Sequence, residues 1–276
     1  MFFKKKPKTP TYQDDPINFL LWRRDSDIEM SKDALPLNYG KKDYEYVVRN
    51  SGSAIESLVI KCALYSRAVK DDTLAVDALR NIKPFVAHIE DAIAQANEIG
   101  FTETNFVHVK NLVFPLLALL LSDDTECAER LAKASQLPVM QEEGLEGENT
   151  NPHDEIAKML VAVVLDDQKA FLHAQSRYAK DKLGDRFFEI YFNYDRLIDL
   201  ILKRDNAAFE KALIEQEDLF LQRAKDKKVD HGQTLDGFLE NNVRVFDVWA
   251  TALTYLARQR GMPVVYSSEV IPLLSM

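Results

Sequence analysis

From Asp43 onward, apolar residues recur at steps of three and four with little interruption. Ile55, Val59, Cys62, Ala63 and Val69 mark one face of an amphipathic helix, because 3.6 residues per turn bring such positions onto one side. Leu74, Ala78, Ile82, Phe85 and Ile89 mark a second. Asp72 or Thr73, both good N-caps, open it, and Pro84 predicts a kink or break within it. A third pattern covers 102–121, again with an internal proline, and weaker ones follow over 125–137, 154–165, 168–182, 186–203, 206–224 and 235–260. Residues 1–42 read differently. Pro7, Pro10, Pro16 and Pro36 punctuate them, and their one apolar patch is Phe19-Leu20-Leu21-Trp22, with Trp22 placed to anchor against the helices. The pattern predicts an irregular N-terminal extension over 1–42 and a single helical domain over 43–276.

An apolar helix end, an aspartate turn and a new helix occur together four times, marked by Asp72, Asp124, Asp167 and Asp205 at spacings of 52, 43 and 38 residues. Aspartate caps the free amides of a helix start, so each marker reads as the turn of an αα-hairpin. A solenoid holds its period constant, whereas these spacings drift. The expected architecture is therefore all-α: an irregular stack of antiparallel helical hairpins. Two helices stand apart. Over 187–202 apolar residues cover nearly every direction, which places that helix in the middle of a bundle. The 235–260 helix keeps one polar line, Arg244, Asp247, Thr251, Thr254 and Arg258. That line reads as a partner-facing stripe, a buried hydrogen-bonded seam or simply the wet side. Beyond Gly261, a natural C-cap, Val264-Val265-Tyr266-Ser267-Ser268 is the one segment that reads as extended.

Composition agrees with helices: only 9 glycines stand among 276 residues, with 46% hydrophobic and 29% charged. Cys62 and Cys127 lie far apart inside apolar patterns, which argues against a disulfide framework and for a reducing compartment. The start of the chain lacks the apolar run of a signal peptide. The most apolar stretch, Leu112 to Leu121, is half the length a membrane span needs and contains Pro115. The expectation is a cytoplasmic protein with no membrane partner. Net charge is −9, and Lys4, Lys5, Lys6 and Lys8 alone supply four positive charges, so the rest of the chain carries −13. So acidic a body repels nucleic acid and favours a basic partner.

No dinucleotide, phosphate-loop, nucleophile-elbow or zinc motif occurs in the chain. The expectation is no enzyme, no catalytic residue, no cofactor and no metal. The one catalytic alternative is His153-Asp154, since all-α metal phosphohydrolases of the HD type use such a pair, and His88, His108, Asp166 and Asp167 are the nominees to complete a site. The plainer reading is that Pro152-His153-Asp154-Glu155 opens a helix with its acids toward the positive end of the dipole. The stretch 140–155 holds Glu142, Glu143, Glu146, Glu148, Asp154 and Glu155 without a lysine or arginine. It reads either as a solvated loop or as an acidic finger that steers a basic partner. With Arg244, Asp247, Thr251 and Arg258, these residues are the candidate partner-binding set.

The run from Phe246 through Trp249, Leu256-Ala257-Arg258, Arg260-Gly261, Val264-Val265 and Pro272-Leu273-Leu274 resembles the end of bacterial polymorphic-toxin immunity proteins. The mostly helical family catalogued as immunity protein 49 is the one it is most similar to. The specific part covers about thirty residues; the helical layout extends the likeness loosely from Asp43. The resemblance implies a protein that binds and neutralises a cognate secreted toxin, and it carries no catalytic residues. A helical-repeat scaffold binding a host protein remains the other non-catalytic reading. Oligomeric state is left open.

Overall fold

In a computed structural model, residues 15–100, 107–140, 152–178, 193–225 and 246–273 are described. They are helical, with no strand among them. Helix α1 spans Pro16–Lys41, α2 Tyr44–Leu64, α3 Asp72–Arg80, α4 Lys83–Ile99, α5 Val113–Leu121 and α6 Thr125–Ala134. Helix α7 spans Pro152–Val164, α8 Gln168–Arg177, α9 Tyr194–Lys203, α10 Asn206–Lys225 and α11 Val248–Gln259. Helix α2 is the centre of the first half and packs against α1, α3, α4 and α5. In the second half, α7 pairs with α8 and α9 with α10, while α11 lies between α5 and α9. The predicted stack of hairpins is what forms.

The irregular extension expected over 1–42 is overturned for 16–41, which is the longest helix. Asp15 caps it, accepting from Asn18 N at 3.1 Å, and Pro16 sits in the first turn, where a missing N–H costs nothing. Pro36 lies inside the helix but on an exposed position, so the carbonyl it orphans faces water. The apolar stripe was hard to see because it runs Leu20, Arg24, Ile28, Ser31 and Leu35, with a guanidinium and a hydroxyl in two of its slots. Trp22 does not anchor the segment; it is 43% exposed, beside Phe19 on the outer side.

Other boundaries shift for local reasons. The pattern over 72–89 breaks at Asn81–Ile82, and Pro84 falls in the first turn of α4. Ahead of α5, Val109–Leu112 form a 3₁₀ turn, and the helix begins only at Val113. Helices α5 and α7 are the most enclosed, with Leu116 to Leu121 and Ile156 to Val164 almost wholly buried apart from Lys158. Helix α9 does reach the core through Leu197, Ile198 and Ile201, yet it exposes Arg196 and Lys203. The segment Val264–Ser268 is not a strand. With no strand among the described residues to pair with, the N–H groups of Val265 and Tyr266 both donate to the Glu210 carboxylate, at 2.7 and 3.0 Å. Both cysteines are free and buried, and burial pushes the Cys62 thiol up to about 12.

The aspartate turns share one geometry. Lys42, Lys70, Asp123, Asp166 and Arg204 have φ between 55° and 61°, and each is followed by an aspartate that precedes a helix. That left-handed residue ends one helix, and the aspartate amide then reaches back to a carbonyl of the last turn. Asp124 N donates to Leu119 O at 3.0 Å, Asp167 N to Ala162 O at 2.9 Å and Asp205 N to Leu200 O at 3.1 Å. The same aspartate caps the next helix: Asp71 receives Leu74 N, Asp124 receives Cys127 N, and Asp167 receives both Lys169 N and Ala170 N. One residue thus closes a Schellman motif and opens a helix. The first marker is Asp71; Asp72 is already helical and accepts from the Ser66 hydroxyl.

Asp167→Ala removes a cap with two amides and is expected to lower stability by about 1 kcal/mol. Lys70→Gly relieves a left-handed non-glycine residue and is expected to raise it by about 0.5–1 kcal/mol. Urea midpoints measure both, and equal midpoints for wild type and Asp167→Ala would contradict the turn geometry.

Candidate functional site

The structure separates the candidate residues. Glu142, Glu143, Glu146, Glu148 and Arg244 lie outside the described residues. Asp154 and Glu155 are 2% and 1% exposed, so they are not the surface rim of an acidic finger. They occupy the first turn of α7, where the 3₁₀ turn closes over them: Asp154 Oδ1 accepts Lys110 N at 3.3 Å. Glu155 Oε1 meets Lys158 at 3.1 Å and Arg177 of α8 at 3.4 Å. The nominees for a hydrolase site do not converge. His88 lies against Tyr39 on the far side of α2, and Asp166 and Asp167 stand beyond the other end of α7, about 18 Å along its axis. Among the described residues, no group of three or more His, Cys, Asp and Glu could hold a metal. Burial lowers the His153 imidazole below its ordinary value, and Lys110 adds to that.

The polar line of the last helix is a buried seam. Helix α11 starts at Val248, and Asp247, 1% exposed, is its N-cap; Thr251 and Thr254 are fully buried, and of the described residues of the line only Arg258 meets solvent. Asp247 Oδ1 accepts Ala250 N at 2.9 Å and the Tyr194 hydroxyl of α9 at 2.9 Å. Its Oδ2 accepts Gln216 Nε2 of α10 at 2.8 Å, and its own amide donates to Val270 O at 2.7 Å. The Tyr194 and Trp249 rings stack beside it, 5.1 Å apart and 9° from parallel. At the other end of α11, Arg260 donates to Val163 O and Val164 O at 2.6 and 2.8 Å and pairs with Asp166, which also receives Arg204 at 2.8 Å. Gln259 donates to Asp123. The left-handed turns of three hairpins are therefore gathered around one helix end. Asp247 and Arg260 are joints of the fold, with their polar atoms engaged inward.

The open polar site lies elsewhere, in a cleft of about 1120 Å³. One wall is the end of α1 and the first turns of α2, contributing Lys41, Lys42, Asp43, Glu45, Tyr46, Arg49, Ser53 and Glu56; the other is His108, Lys110, Asn111 and Phe114. Gly52 sets the floor: a Cβ there would stand 3.2 Å from Asn111 O, a tight contact that would push the 3₁₀ turn back from α2 by a few tenths of an ångström. Glu45 ties the walls together by accepting His108 N at 3.1 Å and Asn111 Nδ2 at 2.8 Å. Arg49 lies over the Tyr46 ring, 5.5 Å from its centre. Burial pushes the Glu56 carboxyl up to about 7, with Arg24 opposing the shift and Asp27 adding to it. Sequence reasoning missed this site. Its signal was present: Tyr46, Arg49, Ser53 and Glu56 stand at steps of three and four on a helix whose other faces are apolar.

No family model matches the chain, and no curated protein or solved structure matches it either.

Because the Glu56 pKa is raised, the folded protein keeps a proton that the unfolded chain releases above its ordinary 4.5. The stability that goes with this proton is present at pH 4–5 and is lost as pH rises through about 7. Glu56→Gln should match wild type at pH 5 and exceed it at pH 8 by on the order of 1–2 kcal/mol in urea unfolding. A difference that does not change with pH would contradict the burial of this carboxyl.

Proposed function

We propose that this chain is an immunity-type binding protein, which holds a secreted antibacterial toxin domain and keeps it from acting inside the producing cell. The observation that carries the reading is the contrast between two kinds of polar group. Asp154 and Glu155 of α7 and the residues that flank α11, Asp247 and Arg260, are spent on internal joints, whereas the cleft keeps a solvent-open polar surface built on α1 and α2. A stack of capped hairpins supplies a preorganised face, which limits the entropy lost on binding. The resemblance over 246–274 supports the same reading, and its residues Asp247, Arg260 and Gly261 then serve the scaffold that presents the face. The acidic body favours encounter with a basic toxin domain. Glu56, poised near neutrality within the cleft, is the one observation that favours proton-transfer chemistry instead.

The test is co-expression with the C-terminal domain of a large secreted protein encoded beside this gene. The chain is expected to restore growth and to form a stable complex with that domain, and Glu56→Gln is expected to protect as well as wild type. Absence of both protection and a complex with folded protein would overturn the immunity reading. Loss of protection in Glu56→Gln alone would favour the catalytic one.

A further inference from the structure

The charge of the cleft runs against that of the protein. The chain carries a net −9, and most described lysines and arginines outside the cleft sit in ion pairs with a nearby carboxylate, as Arg130 does with Glu90 and Arg196 with Glu215. Lys41, Lys42, Arg49 and Lys110 all line the cleft, and none of them forms an ion pair with a described residue. Three acids, Asp43, Glu45 and Glu56, line it beside these four cations, so the cleft is positive by about one charge even with all three ionised, and by more because burial pushes the Glu56 carboxyl up to about 7. The Glu45 carboxylate is already occupied by His108 N and Asn111 Nδ2.

The backbone points the same way. Among the left-handed turns, the aspartates before α3, α6, α8 and α10 accept from first-turn amides, whereas Asp43 makes no side-chain cap on α2. This is the turn that opens on the cleft, so the positive end of a 21-residue helix faces it uncapped. From Tyr46 to Glu56 the wall runs about 15 Å, the length of about four or five extended residues. A trough of this length and volume, with cations on both walls, suits a chain segment more than a single compact anion.

We propose that this cleft receives an acidic segment of the protein partner, whose carboxylates meet Lys41, Lys42, Arg49 and Lys110. The inference rests on the binding reading above for the class of partner, while the charge preference stands on the cleft alone. A protein acidic overall would then hold an acidic element at this place, which fixes the orientation of a partner that the acidic body attracts. Arg49 has the fork that pairs with a carboxylate in bidentate fashion, and its stacking on Tyr46 holds the fork in place.

The probe is a fluorescein-labelled octaglutamate peptide, followed by anisotropy against the full chain at low salt. Saturable binding is expected, weakening as salt rises, because exposed charges are screened within about 10 Å at 0.1 M. Lys41→Glu with Arg49→Glu should weaken it by about tenfold or more, whereas Lys169→Glu with Arg258→Glu, equal in charge change but outside the cleft, should change it by less than about twofold. All four side chains are exposed, and circular dichroism checks that both variants remain helical. Equal weakening in the two variants would reduce the effect to net charge and overturn the proposal, as would no saturable binding by wild type. Inorganic tripolyphosphate is the second arm: cleft-dependent binding of tripolyphosphate without binding of the peptide would assign the site to a small phosphorylated ligand instead. Failed protection by a chain that still binds octaglutamate through the cleft would remove the toxin reading and leave the site.

Discussion

The second half of this molecule depends on one buried carboxylate. Asp247 has no access to water, and a charge in that position is tolerated only when donors surround it. The fold supplies the donors from three different helices: a hydroxyl from α9, a side-chain amide from α10 and the Ala250 backbone amide in the first turn of α11. Satisfying them fixes where each helix begins or crosses. Because the Asp247 amide also holds Val270 O, the returning C-terminal segment is locked by the same residue. Arg260 performs the complementary task at the opposite end of α11, closing the last turn of α7 with a cation as Asp247 opens α11 with an anion. A helix of twelve residues is thereby pinned at both ends.

Much of this was legible in the sequence, and where it was not the reason is physical. Helices after Asp43 were visible because apolar spacing is itself the cause of their packing. The aspartate turns were visible because capping is local chemistry, needing only a carboxylate and the amides three residues on. Their drifting spacing reflects helices of unequal length joined by one conserved turn geometry. Helix α1 was hidden since Arg24 and Ser31 take places in its buried stripe, and since Pro16 and Pro36 look like breaks until one knows that the first sits at a helix start and the second faces water. Val264-Val265 read as extended from β-branching alone; strand formation needs a partner edge, and the amides here go to Glu210.

Site residues were less legible because a polar residue at helical spacing carries no sign of which way its helix faces. Asp247, Thr251 and Thr254 form the line that the sequence displays, yet all three are buried, with Asp247 held by side chains of α9 and α10. Asp154 and Glu155 extend an acidic run in the sequence, yet both are buried, Asp154 against the 3₁₀ turn at 109–112 and Glu155 against Lys158 and Arg177. The cleft escaped notice for the converse reason. Lys41, Arg49 and Lys110 are ordinary surface residues one at a time, and they become a site only when two segments distant in sequence pack together, closely at Gly52. The acidic body and the cationic cleft are then compatible: the former sets the long-range field and the latter a local exception to it.

The division between scaffold and recognition surface stands or falls with Asp247. Urea unfolding of Asp247→Ala measures it most directly, since the substitution removes the carboxylate that accepts from the Tyr194 hydroxyl, the Gln216 amide and the Ala250 N–H. A loss of about 3 kcal/mol or more is expected, with the octaglutamate affinity of the remaining folded protein unchanged. A loss below about 1 kcal/mol, or a folded variant that no longer binds at the cleft, would contradict the account.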